Sequence, residues 1–264
     1  MNKYIGGILA TMLLASCSEY QKALKSEDPA VKLIAATHKY EQKKYTKAIR
    51  LFEQIAPVYR GKADAENLYY MFAKSYYVTE QYYLAGYQFD SFSALYPKSK
   101  NAEEAMFLGA KSYSELSPVY SLDQTETEKA ISKMQEFINK YPNSTYLPEA
   151  NTVALGLQHK LEKKAFEIAK QYNTISDYKA ALKAFDNFLI DYPGTAYKEK
   201  ALFYKLDSAY KLAINSIPSK MEERLKEARI AYNGLVKFKT DSNFKKEADQ
   251  MLVRIEKDLQ QFQK

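Results

Sequence analysis

The residues that could make or break bonds at neutral pH are scarce: one cysteine, Cys17, and two histidines, His38 and His159. A thiolate is a strong nucleophile. Cys17 follows Leu14-Ala15-Ser16 directly, at the end of an uncharged run that begins at Tyr4. Cys17 is thus the one strong nucleophile a group-transfer reaction on this chain could use. The histidines lie more than a hundred positions apart, and no second cysteine can join them. Their spacing assembles neither a metal site nor a general base. There is no glycine-rich phosphate loop and no His-Glu-x-x-His. We therefore expect no catalytic residue, no metal and no cofactor.

Binding chemistry is better represented. Asn67, Tyr70, Lys74 and Tyr77 are spaced by three, four and three, so a helix would present them on one face. Aromatic surface beside lysine suits a peptide with an aromatic residue and a free carboxylate. Thr37 and Tyr40 upstream and Phe107 and Lys111 downstream can extend that face if three helices run side by side.

The elements that would place them there repeat. Taking Ala181 as origin, Tyr178, Leu182, Phe185, Phe188, Tyr192 and Pro193 fall at −3, +1, +4, +7, +11 and +12. The same frame holds around Ala48, Ala85 and Ala130, and in degraded form around Ala228. Steps of three and four are the period of one helix face, and proline ends the helix before it. A second frame follows each stop: Ser99 then Ala105, Ser144 then Ala150, Thr195 then Ala201, Ser242 then Ala248. The hydroxyls are placed to cap a second helix. The unit is helix, turn, helix, breaker.

This unit resembles the tetratricopeptide repeat, whose period is about 34 residues. The anchors here stand 37, 45, 51 and 47 apart, which implies longer helices or insertions. The resemblance implies an all-α fold, a right-handed superhelical solenoid of about five helix pairs plus a C-terminal capping helix. We place helices over 29–42, 45–59, 64–78, 82–96, 100–116, 125–141, 146–172, 178–192, 196–216, 220–237 and 244–262. Thr125 and Glu128 have capping-box spacing, and Pro218 is expected to break the tenth helix from the ninth. Residues 117–124 would separate N-terminal repeats (29–116) from C-terminal repeats (125–264). Many of the 24 tyrosines fall on the repeat frame, where their task is packing.

The N-terminus sets the compartment. Lys3, the apolar run and small residues before Cys17 form a secretory signal, too short to span a membrane. Leu14-Ala15-Ser16-Cys17 resembles a bacterial lipobox, with residues 1–16 removed, Cys17 lipidated, and 17–28 a tether. Ser rather than Asp at position 18, by resemblance to enterobacterial lipoproteins, permits transport to the outer membrane. The remaining 248 residues hold no second thiol and no disulfide, and carry 38 basic against 32 acidic side chains. The charges are interleaved, and an exported chain rarely meets nucleic acid, so no nucleic-acid partner is expected.

Together, the lipobox, the five long repeats and the Tyr-Pro-x-Ser/Thr breakers at Tyr96, Tyr141 and Tyr192 resemble the BamD (YfiO) lipoprotein family. That resemblance implies a non-enzymatic, periplasm-facing adaptor of outer-membrane β-barrel assembly. Its C-terminal repeats would dock on periplasmic domains of the barrel-forming subunit, and its N-terminal repeats would recognise unfolded outer-membrane proteins. Tol-Pal or peptidoglycan-associated repeat proteins usually carry an ordinary signal. Glycan-uptake lipoproteins are longer and favour tryptophan, which this chain lacks.

Overall fold

The computed structural model describes residues 19–262. Cys17, the signal 1–16 and residue 18 lie outside them. Among the described residues there is no strand. The elements are α1 (Pro29–Glu41), α2 (Tyr45–Tyr59), α3 (Ala65–Val78), α4 (Tyr82–Leu95), α5 (Ala102–Glu115), α6 (Thr125–Lys140), α7 (Leu147–Thr174), α8 (Tyr178–Asp191), α9 (Lys198–Ile214), α10 (Pro218–Phe238) and α11 (Lys245–Leu259), ending in one 3-10 turn at Gln260–Phe262.

All five anchors, Ala48, Ala85, Ala130, Ala181 and Ala228, are fully buried, as are Ala105, Ala150, Ala201 and Ala248 of the second frame. A methyl group at these positions lets helix axes approach, and the phenylalanines at +4 and +7 fill the space beside it. Phe52, Phe89, Phe92, Phe137, Phe185 and Phe188 are buried accordingly. Between α4 and α5 the approach is tighter still at Gly109, where a methyl would press on Phe89. A Cβ there would stand 3.0 Å from the Cβ of Phe89.

Three turns inside repeats are built alike. Lys43, Glu80 and Ser176 have φ of 58°, 59° and 65°. At each, the residue's own amide and the next one bond back to carbonyls of the preceding helix: Lys43 to Tyr40 and Lys44 to Lys39, Glu80 to Tyr77 and Gln81 to Tyr76, Ser176 to Asn173 and Asp177 to Tyr172. This is the Schellman closure, which glycine usually occupies. A side chain in the left-handed region costs about 1 kcal/mol. Glu80→Gly should therefore raise stability by about 0.5–1 kcal/mol in urea unfolding. Gln42→Gly, at a right-handed position, should not.

The start of the fold differs from the expected tether. Residues 19–25 are helical, and Tyr20 and Ala23 are buried in the first core. The polar look of this stretch comes from its outer face alone. Asp28 caps α1 by accepting the Ala30 amide at 2.8 Å, with Pro29 in the first turn. Pro218 also starts a helix, α10, because its missing N–H costs nothing there. Thr125 caps nothing. Its amide bonds the Asp123 carboxylate at 2.9 Å, and α6 begins at Thr125 itself.

Two compact units divide the chain. The first holds residues up to 118 and 123–157; the second holds 119–122 and 158–264. The main division falls inside the 28-residue helix α7, and within 117–124 only residues 119–122 group with the second unit. In the first unit α1 to α5 pack in sequence, with α1 also against α3 and α3 against α5. In the second, α8, α9, α10 and α11 pack in sequence, with α9 against α11. Within the first unit the first helices α1, α3 and α5 thus touch in turn, which lines these three up along one face.

Candidate functional site

The joints between repeats use one device four times. The first helix of a pair carries a glutamate, with an aromatic residue four positions on: Glu66 and Tyr70, Glu103 and Phe107, Glu162 and Phe166, Glu199 and Phe203. The breaker hydroxyl that follows donates to that glutamate: Ser99 to Glu66 at 2.6 Å, Ser144 to Glu103 at 2.5 Å, Thr195 to Glu162 at 2.9 Å, Ser242 to Glu199 at 2.8 Å. The same hydroxyl accepts the amide two residues on, at 3.0–3.1 Å. It closes a turn just before the second-frame helix and is not the helix cap itself.

Two residues after the hydroxyl an aromatic ring stacks on the earlier one. Tyr146 lies on Phe107 at 4.7 Å, Tyr197 on Phe166 at 5.0 Å and Phe244 on Phe203 at 4.3 Å, all within 18° of parallel. The first joint departs from this. Its aromatic is Tyr70 and the stacking place is Asn101. Tyr70 instead donates its hydroxyl to Glu104 Oε2 at 2.5 Å, while Lys74 Nζ donates to Oε1 of the same carboxylate at 2.5 Å.

Around this pair the face is aromatic and basic. Tyr70 lies 5.7 Å from Phe92, and Tyr40 sits edge-on to Tyr45 at 5.5 Å. Tyr77 stands between Tyr82 and Phe89, at 6.0 and 6.4 Å. Lys111 pairs with Glu149 and lies 5.9 Å above the Phe107 ring. Burial, then the Glu104 hydrogen bond, push the Tyr70 phenol well above its ordinary range. Burial also raises Tyr40 and Tyr146, with Glu104 adding to both. Burial works against the Glu104 carboxylate, but the bonds from Lys74 and Tyr70 hold it below its usual range. The hydrogen bond to Glu149 raises Lys111. Each of these shifts runs away from neutrality, which favours the neutral phenols, the ionised Glu104 carboxylate and the protonated Lys111 at pH 7.

Because the folded Glu104 pKa is below the unfolded one, its contribution is fully present above about pH 4.3 and is lost as pH falls through the lower folded value. Melting curves of the wild type and Glu104→Gln should therefore differ at about pH 6 and converge towards about pH 3.

Of the residues singled out by sequence, Tyr40, Tyr70, Lys74, Tyr77 and Lys111 lie together on the first-helix face of α1, α3 and α5. Phe107 does not belong to it as a contact surface. It is 2% exposed, clamped between Tyr146 and Phe137. Thr37 is half-buried and Asn67 exposed; among the described residues neither joins the Glu104 network. The two lysines already face the protein's own carboxylates. Glu104, Tyr146 and Glu149 are members that sequence inspection missed. The recurring glutamate four residues before each aromatic was the visible signal of the joint. Glu104 stands one residue after such a glutamate. Among the described residues no cluster of His, Cys, Asp and Glu could hold a metal.

Residues 28–225 match the YfiO family, described as outer membrane lipoprotein. A relative from Caulobacter vibrioides, outer membrane protein assembly factor BamD, is 23% identical over 233 residues, covering 87% of this chain and 75% of that one. The Rickettsia prowazekii protein of the same name is 25% identical over 175 residues, covering 66% and 70%. That of Neisseria meningitidis serogroup B is 25% identical over 177 residues, covering 63% and 66%.

Proposed function

The chain belongs to the YfiO outer membrane lipoprotein family, and from that premise we propose that it is a non-enzymatic adaptor in outer-membrane β-barrel protein assembly. It is held on the outer membrane by lipid on Cys17 and faces the periplasm. Its C-terminal repeats bind periplasmic domains of the barrel-forming subunit. Its N-terminal repeats bind unfolded outer-membrane protein segments along the first-helix face.

The observation that carries the peptide-binding part is the break in the joint pattern at Tyr70. Three joints spend their aromatic on stacking within the fold. The first keeps a phenol, an ammonium and a carboxylate on the face itself. A peptide carboxylate can exchange with Glu104 for Lys74, and an aromatic side chain can lie against Tyr40 and Tyr77. Relatives named as assembly factors support the cellular role.

The test is fluorescence anisotropy with a labelled peptide ending in an aromatic residue and a free carboxylate. Tyr77→Ala should weaken binding by about tenfold, the loss of an aromatic contact worth about 1–1.5 kcal/mol, with helicity unchanged. Equal affinity in a folded variant would remove the groove from this account.

A further inference from the structure

A second feature of the first unit lies apart from this face. Residues 19–25 pack beside α1 and leave a groove of about 270 Å³ lined by Tyr20, Val31 and Ile34, with Lys22 and Glu19 also on its walls. Lys39, only 4% exposed, also lines it. A buried ammonium is costly without an anion beside it; Glu19 is the acid whose charge opposes the effect of burial on Lys39. Val31 and Ile34 are 44% and 72% exposed on the outer side of α1, one turn apart. Residues 19–50 carry eight lysines and arginines against four acids, a higher ratio of basic to acidic side chains than the 39 against 32 of the whole chain.

Position argues for the occupant. Cys17 is two residues from Glu19, at most about 7 Å of extended chain, so lipid on that thiol starts beside the groove. Among the described residues no helix is long and apolar enough to cross a membrane, so any contact is with its surface. A helix that lies on a bilayer combines an apolar face with lysine beside it.

We propose that this face of α1 rests on a lipid surface bearing anionic headgroups. Val31 and Ile34 enter the boundary between headgroups and acyl chains, and a headgroup phosphate entering the groove meets Lys22 and Lys39. The contact fixes the first repeat against the bilayer, where the lipid alone would leave it free to swing. The inference rests on Cys17 carrying the lipid.

The experiment uses the full-length acylated protein with Ile34→Cys, labelled with an environment-sensitive fluorophore. It is reconstituted into phosphatidylethanolamine–phosphatidylglycerol vesicles containing a nitroxide-labelled lipid. Tyr83→Cys on α4, at an exposed site of the same unit, is the reference. Insertion to about 5–10 Å predicts quenching at position 34 at least about twice that at position 83. The excess should fall when phosphatidylglycerol is replaced by phosphatidylcholine, and in Lys22→Glu. Equal quenching at the two positions, in protein that floats with the vesicles, overturns the inference and leaves the anchor standing. So does a disulfide between two copies of the unlabelled Ile34→Cys variant, formed through the introduced thiols, which would make the face a homotypic contact. Protein that does not float, and takes two labels because Cys17 is free, overturns the anchor and the inference together.

Discussion

Phe107→Ala should lower the unfolding free energy by about 3–5 kcal/mol, the cost of deleting a buried aromatic ring. The ring is closed in on two sides, by Tyr146 at 4.7 Å and Phe137 at 5.4 Å. Neither neighbour is free to collapse into the space. The Tyr146 backbone is fixed by its N–H, which donates to the Ser144 hydroxyl, itself donating to Glu103, and Phe137 is fully buried within α6. Phe166→Ala and Phe203→Ala should cost similar amounts, since each ring occupies the same place in its own joint. Tyr70→Phe should cost less, about 1–2 kcal/mol, because it removes one charged hydrogen bond and leaves the ring. Repeat proteins draw much of their stability from nearest-neighbour interfaces, so the effect should be visible as a lower urea midpoint by circular dichroism. A loss under about 1 kcal/mol for Phe107→Ala would mean that the stacked joint does not hold the repeats together.

Exchanging the charges at positions 74 and 104 separates bracing from recognition. Lys74 and Glu104 have side chains 25% and 30% exposed, enough burial for the pair to matter. Lys74→Glu alone sets two carboxylates against each other beside the Tyr70 hydroxyl and should cost about 2 kcal/mol. Lys74→Glu with Glu104→Lys restores an ion pair. Tyr70 can then donate to the acid four residues along its own helix, and stability should return to within about 1 kcal/mol of the wild type. Peptide affinity should not return, because the cation that meets a peptide carboxylate has moved from α3 to α5. An exchanged variant that binds as the wild type does would show that Lys74 only braces the fold.

Much of this architecture could be read from residue types alone. The buried alanines and the rings four and seven positions on share a single helical face, so period and burial coincide. The paired breakers Tyr96-Pro97, Tyr141-Pro142 and Tyr192-Pro193 marked the ends of α4, α6 and α8 to within one residue, because proline acts locally. What escaped was set by distance. Glu104 reads as one more solvated acid beside Glu103; only packing brings it to Lys74 and Tyr70 some thirty positions earlier. Phe107 sits on the same helix stripe as Lys111, so spacing could not tell a clamped ring from a displayed one. The division of units inside α7 was hidden for a related reason. Gly156 is no helix breaker, and nothing local marks Leu157 as the last residue of the first unit. Tyr146, just before the helix, closes the joint to Phe107, and Glu162 and Phe166 open the next joint along the helix. Residues 19–25 read as a tether in sequence because Tyr20 and Ala23 are too few to show a period.

Affinity capture from detergent-solubilised envelope, with a C-terminal tag and native Cys17, tests the assembly role most directly. Mass spectrometry of the bound fraction should recover a large β-barrel protein with repeated periplasmic domains, and recovery should fail when the C-terminal repeats are removed. Capture of Tol-Pal or glycan-uptake components without that barrel would contradict the role and leave the repeat fold and family membership as they stand.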